Sequence, residues 1–320
     1  MLVTGGAGFI GGQTCRLLLA AGHRVSVVDN LTTGRAENVP AAAELIVADV
    51  TDPEFVGVSA DLRPDAVVHL AAQVSVAHSV ADPQGDAHTN IAGTLGALEA
   101  ARMGGARTFI FASSAAVYGV PEALPLTESA IAKPLSPYGL SKLTAESYIR
   151  MFTSAHGMRH VVLRLANVYG PGQSSEGEAG VVAIFCDRVA RGLAPLIHGN
   201  GEQTRDFIYV ADVAGAIGLA LGSERPADTF NVGTGSAITI NHLWQTVRHA
   251  AAESVGPEGA EAIRRLTAGY GSAREGDIHH SYLSNLRIRE LLGWRPQVEL
   301  HDGLSRTLSV LRVGVADKAV

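Results

Sequence analysis

Tyr138 and Lys142 stand four residues apart in the run SPYGLSK, residues 136–142. On a helix that spacing puts both side chains on one face. A free phenol, with a pKa near ~10, is a poor base at neutral pH. A nearby ammonium and a positively charged oxidised cofactor would both favour the phenolate and tune it for general acid–base work. Pro137 suits the first position of such a helix. The same spacing also describes an ordinary solvated helix face, so a partner is needed. FIFASSAAVYG, residues 109–119, supplies one: Ser113 and Ser114 stand where a buried strand should end. Either serine could equally cap the next segment.

A second group of residues could hold a phosphate. VTGGAGFIGG, residues 3–12, contains Gly5, Gly8 and Gly11 at three-residue intervals. The first permits a tight turn and the second lets the backbone approach a pyrophosphate. The third lets a helix pack closely on the sheet with its N-terminus toward the phosphates. A strand precedes this loop, and an amphipathic run, GQTCRLLLAAG, follows it. The next strand ends in Asp29, about 20 residues past the loop, where a ribose 2′-hydroxyl would be read. A carboxylate there would repel a 2′-phosphate, which favours NAD over NADP. The plain alternative for Asp29 is a turn residue in DNLTTG. Asp49 ends the third strand and could reach an adenine, or cap the helix that follows.

These residues need a scaffold. Short β-branched runs recur as MLVTG, RVSVVD, LIVAD, AVVHLA, TFIFAS and HVVLRL, with helical patterns between them. Such alternation predicts an α/β fold, a doubly wound parallel sheet with helices on both faces. The near-continuous apolarity of AVVHLA and TFIFAS fits strands buried on both sides. Carboxyl ends of such strands are where ligands bind. The pattern loosens after about residue 170. There a smaller second unit is expected, with loops at 171–180 and 253–260. The run RDFIYVADVAGAIGLALG followed by TFNVG reads as a return to the first unit. The expected division is 1–170 plus 209–234 against 171–208 plus 235–320.

Bulk properties exclude several classes. The chain has 320 residues, enough for one large or two moderate domains. Its net charge of −6 and lack of basic runs argue against a nucleic-acid surface. Cys15 and Cys186 have no metal or redox spacing and read as small buried hydrophobes of a reducing compartment. The spacings of His156 with His160 and of His279 with His280 give no metal site, so none is expected. Neither a leader pattern nor a membrane-length apolar run is visible, so the expected location is the cytoplasm.

TGGAGFIG, HLAA, SSAAVYG, YGLSK, LRLANVYGPG and GNGEQTRDFIYVAD occur in that order. The set resembles the extended short-chain dehydrogenases/reductases, most closely the NAD-dependent sugar-nucleotide epimerases of the UDP-glucose 4-epimerase type. The resemblance covers nearly the whole chain and implies a Rossmann domain with a discontinuous nucleotide-sugar domain. It implies Tyr138 as the base, Lys142 as a further ligand of the nicotinamide ribose, and Ser114 as a partner of the reacting hydroxyl. Ser114 is favoured because it stands three residues before VYG. Phe9, Ile10, Asp29, Asn30, Asp49, Val50, Leu70, Ala71, Ala72 and Asn90 would line the cofactor with the glycines. The implied reaction takes the proton from the sugar 4-hydroxyl and the C4 hydride to NAD. The 4-keto sugar then turns and the hydride returns to its other face.

The substrate's diphosphate needs cations. The resemblance offers Arg205 and Arg274, with Asn167 on a phosphate, Asp277 on the nucleotide ribose and Ser281 at the position that gates sugar size. A small residue there would admit N-acetylhexosamines. Arg164 reads instead as a structural ion-pair partner. Ala116 occupies the place where dehydratases and decarboxylases of the superfamily carry an acid, which favours epimerisation. Helices around 88–103 and 138–154 would form a homodimer, as the family commonly does. The alternatives are another nucleotide-sugar epimerase (UDP-glucuronate or deoxysugar), a net-redox dehydrogenase or reductase, and a non-catalytic NAD-binding regulator.

Overall fold

The computed structural model describes residues 1–175, 180–225, 227–274 and 276–311. Seven parallel strands form its main sheet, in the order β11-β6-β5-β4-β1-β2-β3. The first six are β1 (Leu2–Thr4), β2 (Ser26–Asp29), β3 (Glu44–Val47), β4 (Ala66–His69), β5 (Thr108–Ser114) and β6 (Arg159–Leu165). Four short strands follow: β7 (Asn167–Tyr169), β8 (Leu196–His198), β9 (Thr204–Arg205) and β10 (Phe207–Tyr209). Then comes β11 (Asp228–Val232), which joins the main sheet beside β6. Two more, β12 (Ile238–Thr239) and β13 (Gly269–Gly271), pair with β9 and β8. The expected doubly wound sheet is therefore present, and strand order reverses between β1 and β4. A crevice opens at their carboxyl ends, where such sheets bind ligands.

Side-chain alternation fills both faces of the sheet. Val3, Val27, Val68, Ile110, Val161 and Leu163 point into one core, under helices α1 (Phe9–Ala20) and α8 (Val210–Gly222). Leu2, Val28, Val67, Phe109, Phe111 and Val162 point into the other, under α5 (Gly93–Gly104) and α6 (Pro137–Ala155). Both β1 and β4 are buried along their whole length, which explains why their sequences show no polar alternation. Of the remaining helices, α2 (Phe55–Asp61) packs on α5, while α3 (Val76–Ala81) and α4 (Pro83–Ala87) lean on α6.

A third core lies outside the sheet. It joins α7 (Val181–Ala190), α9 (Ile240–Glu253), α10 (Pro257–Arg264) and α12 (Leu300–Ser309) around Phe185, Trp244, Val247 and Leu304. The rings of Phe185 and Trp244 meet edge to face, 6.0 Å apart. Helix α11 (Leu286–Leu292) departs from the expected division. Its Ile288, with Trp294 just beyond, packs into the sheet core with α1 and α8. The Trp294 indole donates to the Asp212 carbonyl, and the Asp212 carboxylate accepts from the amides of Gln297 and Val298. This carries the chain from the sheet to α12.

Two other expectations need correction. The stretch 253–260 is not one loop: only Ser254–Gly256 is irregular, because Pro257 occupies the first turn of α10. The helix expected around 88–103 begins as a π-helical turn, His88–Ala92, before α5. In the expected loop 171–180, residues 176–179 lie outside the described residues. No helix among the described residues is long and apolar enough to cross a membrane.

Candidate active site

The crevice begins where β1 ends. Gly5 has φ +69°, and a Cβ there would lie 2.6 Å from the Ala71 nitrogen at the end of β4. Gly11 faces the loop itself: a Cβ would come within 2.1 Å of the Gly5 carbonyl oxygen. The turn glycine and the close-packing glycine of the sequence argument are thus accounted for by geometry. Gly8 caps α1 with no side-chain hydrogen bond. The helix therefore presents bare backbone N–H groups to the crevice, as an anion site requires.

Asp29 closes this cradle. Its Oδ2 accepts from the Ala7 amide at 3.0 Å, and its Oδ1 from the Leu31 amide at 2.9 Å. The carboxylate braces the glycine loop as well as ending β2. Asn30 donates to Asp49 at 2.6 Å, and Asp49 also accepts from the Thr51 amide and hydroxyl. Those bonds hold Asp49 below the usual carboxylate range, although burial opposes them as the largest single influence. His69 ends β4 fully buried between the Thr4 and Thr94 hydroxyls, at 2.7 and 3.1 Å. Burial, then the Lys142 charge, lowers its pKa to about 3, so it is a neutral girder.

The reactive residues come from β5 and α6. Ser136 caps α6 by accepting from the Gly139 amide at 3.2 Å, and Pro137 opens the helix. This presents Tyr138 toward Ser114 at the carboxyl end of β5. Ser114 caps the turn Ala115–Val117, accepting from the Ala116 amide at 3.1 Å. Ser113 is occupied elsewhere, donating to Glu146 at 2.6 Å inside the protein. Of the two serines, only Ser114 meets the phenol. Glu146 is also gripped by Arg164 through two bonds of 2.9 and 2.7 Å, and Arg164 reaches the Tyr118 hydroxyl at 3.0 Å. Arg164 is therefore a structural ion-pair partner, as its sequence context implied.

The tuning of Tyr138 differs from the sequence expectation. Burial pushes the phenol above its ordinary pKa, the Ser114 hydroxyl opposes this, and the Asp86 charge adds to it. The ammonium expected to lower it is turned away: Lys142 Nζ donates to the Ala112 carbonyl at 3.0 Å and lies 4.8 Å from the centre of the Phe111 ring. Lys142 is 3% exposed. Burial lowers its pKa to about 8, opposed by Asp86 and then Glu146. Without a cofactor's positive ring the phenol keeps its proton at neutral pH.

Asn90 is buried too, and its amide is engaged by protein. It accepts from the Gln73 amide at 2.9 Å and donates to the Gln73 carbonyl, Asp86 and the Ser141 hydroxyl at 3.0, 3.0 and 3.1 Å. It ties the segment after β4, with Leu70, Ala71 and Ala72, to α6. Val50 packs against the start of α5: a Cβ on Gly93 would lie 2.6 Å from its side chain. Glu146, Gln73 and Asp86 escaped the sequence reading. Glu146 had a signal, four residues past Lys142 on the same face.

The five substrate candidates collect around β9. Arg205 forms an ion pair with Asp277 and donates to the Thr204 carbonyl at 2.8 Å, with 17% of its side chain exposed. The pairing means that these two residues, assigned separate ligand groups from the sequence, begin on each other. Arg274 is exposed, on the turn where its carbonyl accepts from the Asp277 amide at 3.3 Å. Ser281 donates its amide to the Thr204 carbonyl at 3.2 Å, and Asn167 donates its own to the Asp206 carbonyl at 2.9 Å. Buried Asp206 accepts from the Thr234 amide and hydroxyl and from the amides of Gly235 and Leu283, which fastens the segments together.

The histidine pairs weighed from sequence gather no carboxylate among the described residues. His249, Glu253 and His301, on α9 and α12, do approach one another, at 3.1 and 2.9 Å. Those contacts are ion pairs only where the imidazoles carry a proton.

An uncapped helix N-terminus, a glycine turn with no room for side chains and a carboxylate at the second strand end fit a dinucleotide. Comparison with known proteins agrees. A UDP-glucose 4-epimerase of Mycolicibacterium smegmatis is 40% identical over 317 residues, covering 97% of this chain and 98% of that protein. The crystal structure of the Thermotoga maritima UDP-glucose 4-epimerase with UDP-glucose is 41% identical with a TM-score of 0.91, covering 97% of this chain and 98% of that one. The Thermus thermophilus UDP-glucose 4-epimerase in complex with NAD is 39% identical with a TM-score of 0.87, covering 100% of this chain and 99% of that one. Residues 1–233 match the NAD dependent epimerase/dehydratase family, and to that family this chain belongs.

Proposed function

We propose that the protein is an NAD-dependent UDP-hexose 4-epimerase that interconverts UDP-glucose and UDP-galactose through a 4-keto sugar. The observation that carries this reading is the trio of half-buried Ser114 and Tyr138 with buried Lys142, beside the glycine cradle. NAD, when bound, supplies the hydride acceptor and a positive ring that favours the tyrosinate. Gly5, Gly8, Phe9, Ile10 and Gly11 would hold its pyrophosphate end, Asp29 and Asn30 its ribose, and Asp49 its adenine. Lys142 holds its ammonium on the Ala112 carbonyl and would be the ligand of the nicotinamide ribose.

Tyr138 takes the proton of the sugar 4-hydroxyl and later returns one to the same oxygen. Ser114 holds that oxygen and the phenol in register. Arg205, Arg274, Asn167 and Asp277 retain the nucleotide diphosphate while the sugar turns. Ala116 supplies no acid, so elimination lacks a donor.

The cofactor unit is residues 1–170 with 209–234, and the nucleotide-sugar unit 171–208 with 235–320, the segment 286–294 lying on the former's core. A homodimer through α5 and α6 fits the exposed Leu140 and Met151 on α6. The cytoplasm is the compartment that suits this chemistry. Small Ser281 admits N-acetylhexosamines, so Ser281→Tyr should abolish turnover of UDP-N-acetylgalactosamine and spare UDP-galactose; equal loss of both would sink that point. The purified protein, given UDP-galactose without added cofactor and followed by NMR, should form UDP-glucose. No interconversion even with NAD supplied would refute the epimerase reading.

A further inference from the structure

One buried charge near the reactive pair has no part in the chemistry above. Asp86, on α4, is 1% exposed. Its Oδ1 accepts from Gln73 Nε2 at 2.9 Å and Asn90 Nδ2 at 3.0 Å, both neutral amides. Its Oδ2 is buried with no hydrogen-bond partner. Glu146, the other buried carboxylate here, is matched by Arg164 at 2.7 Å and more loosely by Arg150 at 3.4 Å. Among the described residues no cation forms an ion pair with Asp86. A carboxylate removed from water with half its lone pairs unused is costly unless a positive field compensates.

The geometry connects this carboxylate to the reactive helix. Asn90, held by Asp86, donates to the Ser141 hydroxyl at 3.1 Å. Ser141 in turn donates to the Tyr138 carbonyl at 3.0 Å. Ser141 lies between Tyr138 and Lys142 in sequence, and α4 packs against α6. Gln73, the other ligand of Asp86, anchors the segment after β4 that walls the cofactor cleft.

Resting on the epimerase reading, we propose that Asp86 is a positioning residue. Its charge balances the Lys142 ammonium inside the protein, where both are buried, and its amide partners lock that charge to the first turn of α6. The groups that face the pair are few. Lys142 meets Asp86 from α4, Glu146 from its own helix, and neutral His69, Phe111 and the Ala112 carbonyl from the sheet. Tyr138 meets Ser114 and Asp86. The directions agree: after burial, which lowers Lys142, Asp86 is the stronger of the two carboxylates that raise it. Asp86 raises Tyr138 as well.

Asp86→Asn removes the charge and keeps the shape. Both Lys142 and Tyr138 then lose a negative neighbour, so both titrate at lower pH. The whole pH profile of kcat should move acidward by about one unit, with about a tenfold loss of rate on its alkaline side. A role confined to packing would lower the melting temperature and leave the profile in place. A readout free of turnover accompanies this. The chain has seven tyrosines, and the component of the tyrosinate absorbance missing in Tyr138→Phe reports Tyr138. That component should move acidward in Asp86→Asn; an unmoved midpoint in a folded variant would overturn the proposal, whether or not the protein epimerises UDP-galactose. Should Asp86→Asn fail to fold, the double variant Asp86→Asn/Lys142→Met decides. Removing both charges should restore folding, and failure to restore it would overturn the balance of charges.

Discussion

The two halves of the candidate site are built differently. Around Tyr138 the supporting groups are buried, and protein atoms already satisfy most of them: Lys142 on Ala112, Ser113 and Arg164 on Glu146, Asn90 on Gln73 and Ser141. Around β9 the charged groups are more open, and Arg205 is spent on Asp277 rather than held ready. The first half is organised before any ligand arrives, as hydride and proton transfer demand. The second must exchange an internal ion pair for a diphosphate. A site that retains a nucleotide while the sugar turns over needs a rigid floor and an adaptable grip.

Substitutions can break or sharpen that contrast. The largest effect belongs to Tyr138→Phe, which removes the proton carrier and should lower kcat by about 10²–10⁴. UDP affinity, read by calorimetry, should stay at the wild-type level, because the grip lies elsewhere. Glu146→Gln tests the rigid floor. It leaves buried Arg164 short of its carboxylate, so denaturant unfolding should show a loss of about 3–5 kcal/mol.

His69 gives the floor a pH signature. Its folded pKa, about 3, lies below the ordinary histidine value of 6.5. Between those values the unfolded chain binds the extra proton. The stability present above pH 6.5 is therefore lost as pH falls, by up to about 1.4 kcal/mol per unit, until about pH 3. His69→Gln should flatten that slope in urea titrations across the window; an unchanged slope would assign the acid sensitivity elsewhere. The smallest effects belong to the grip. Arg205→Lys should raise KM for UDP-galactose about tenfold and leave kcat in place, since a lysine lacks the fork that meets a phosphate. Asp277→Asn should change stability by no more than about 1 kcal/mol. A kcat loss from either would mean that the grip also orders the chemistry.

The same division explains what the sequence revealed. The glycine loop, Asp29, Ser114, Tyr138 and Lys142 depend on spacings within single turns or at strand ends, and those spacings are visible in one dimension. So was the sheet, because AVV in β4 and FIFA in β5 are unbroken apolar runs. Asp86 was not legible: its meaning comes from Gln73 before it, Asn90 after it and a helix that starts much later in the chain, at Pro137. The Arg205–Asp277 pair joins residues 72 apart, and motif matching gave each its own ligand. The turn of Lys142 away from Tyr138 was invisible as well. The i,i+4 rule places two side chains on one face but does not say that a carbonyl of β5 will claim the ammonium. Helix α11 was misplaced because its neighbours in sequence belong to another core.

The most direct test follows the hydrogen on C4. UDP-galactose carrying deuterium at that carbon, in ordinary water with the purified protein, should yield UDP-glucose that retains the deuterium at C4, since the hydride leaves and returns within one bound complex. Replacement of the deuterium by solvent hydrogen would mean abstraction of a carbon-bound proton instead. That result would contradict both Tyr138 as the carrier of the hydroxyl proton and the cofactor cradle as the seat of hydride transfer.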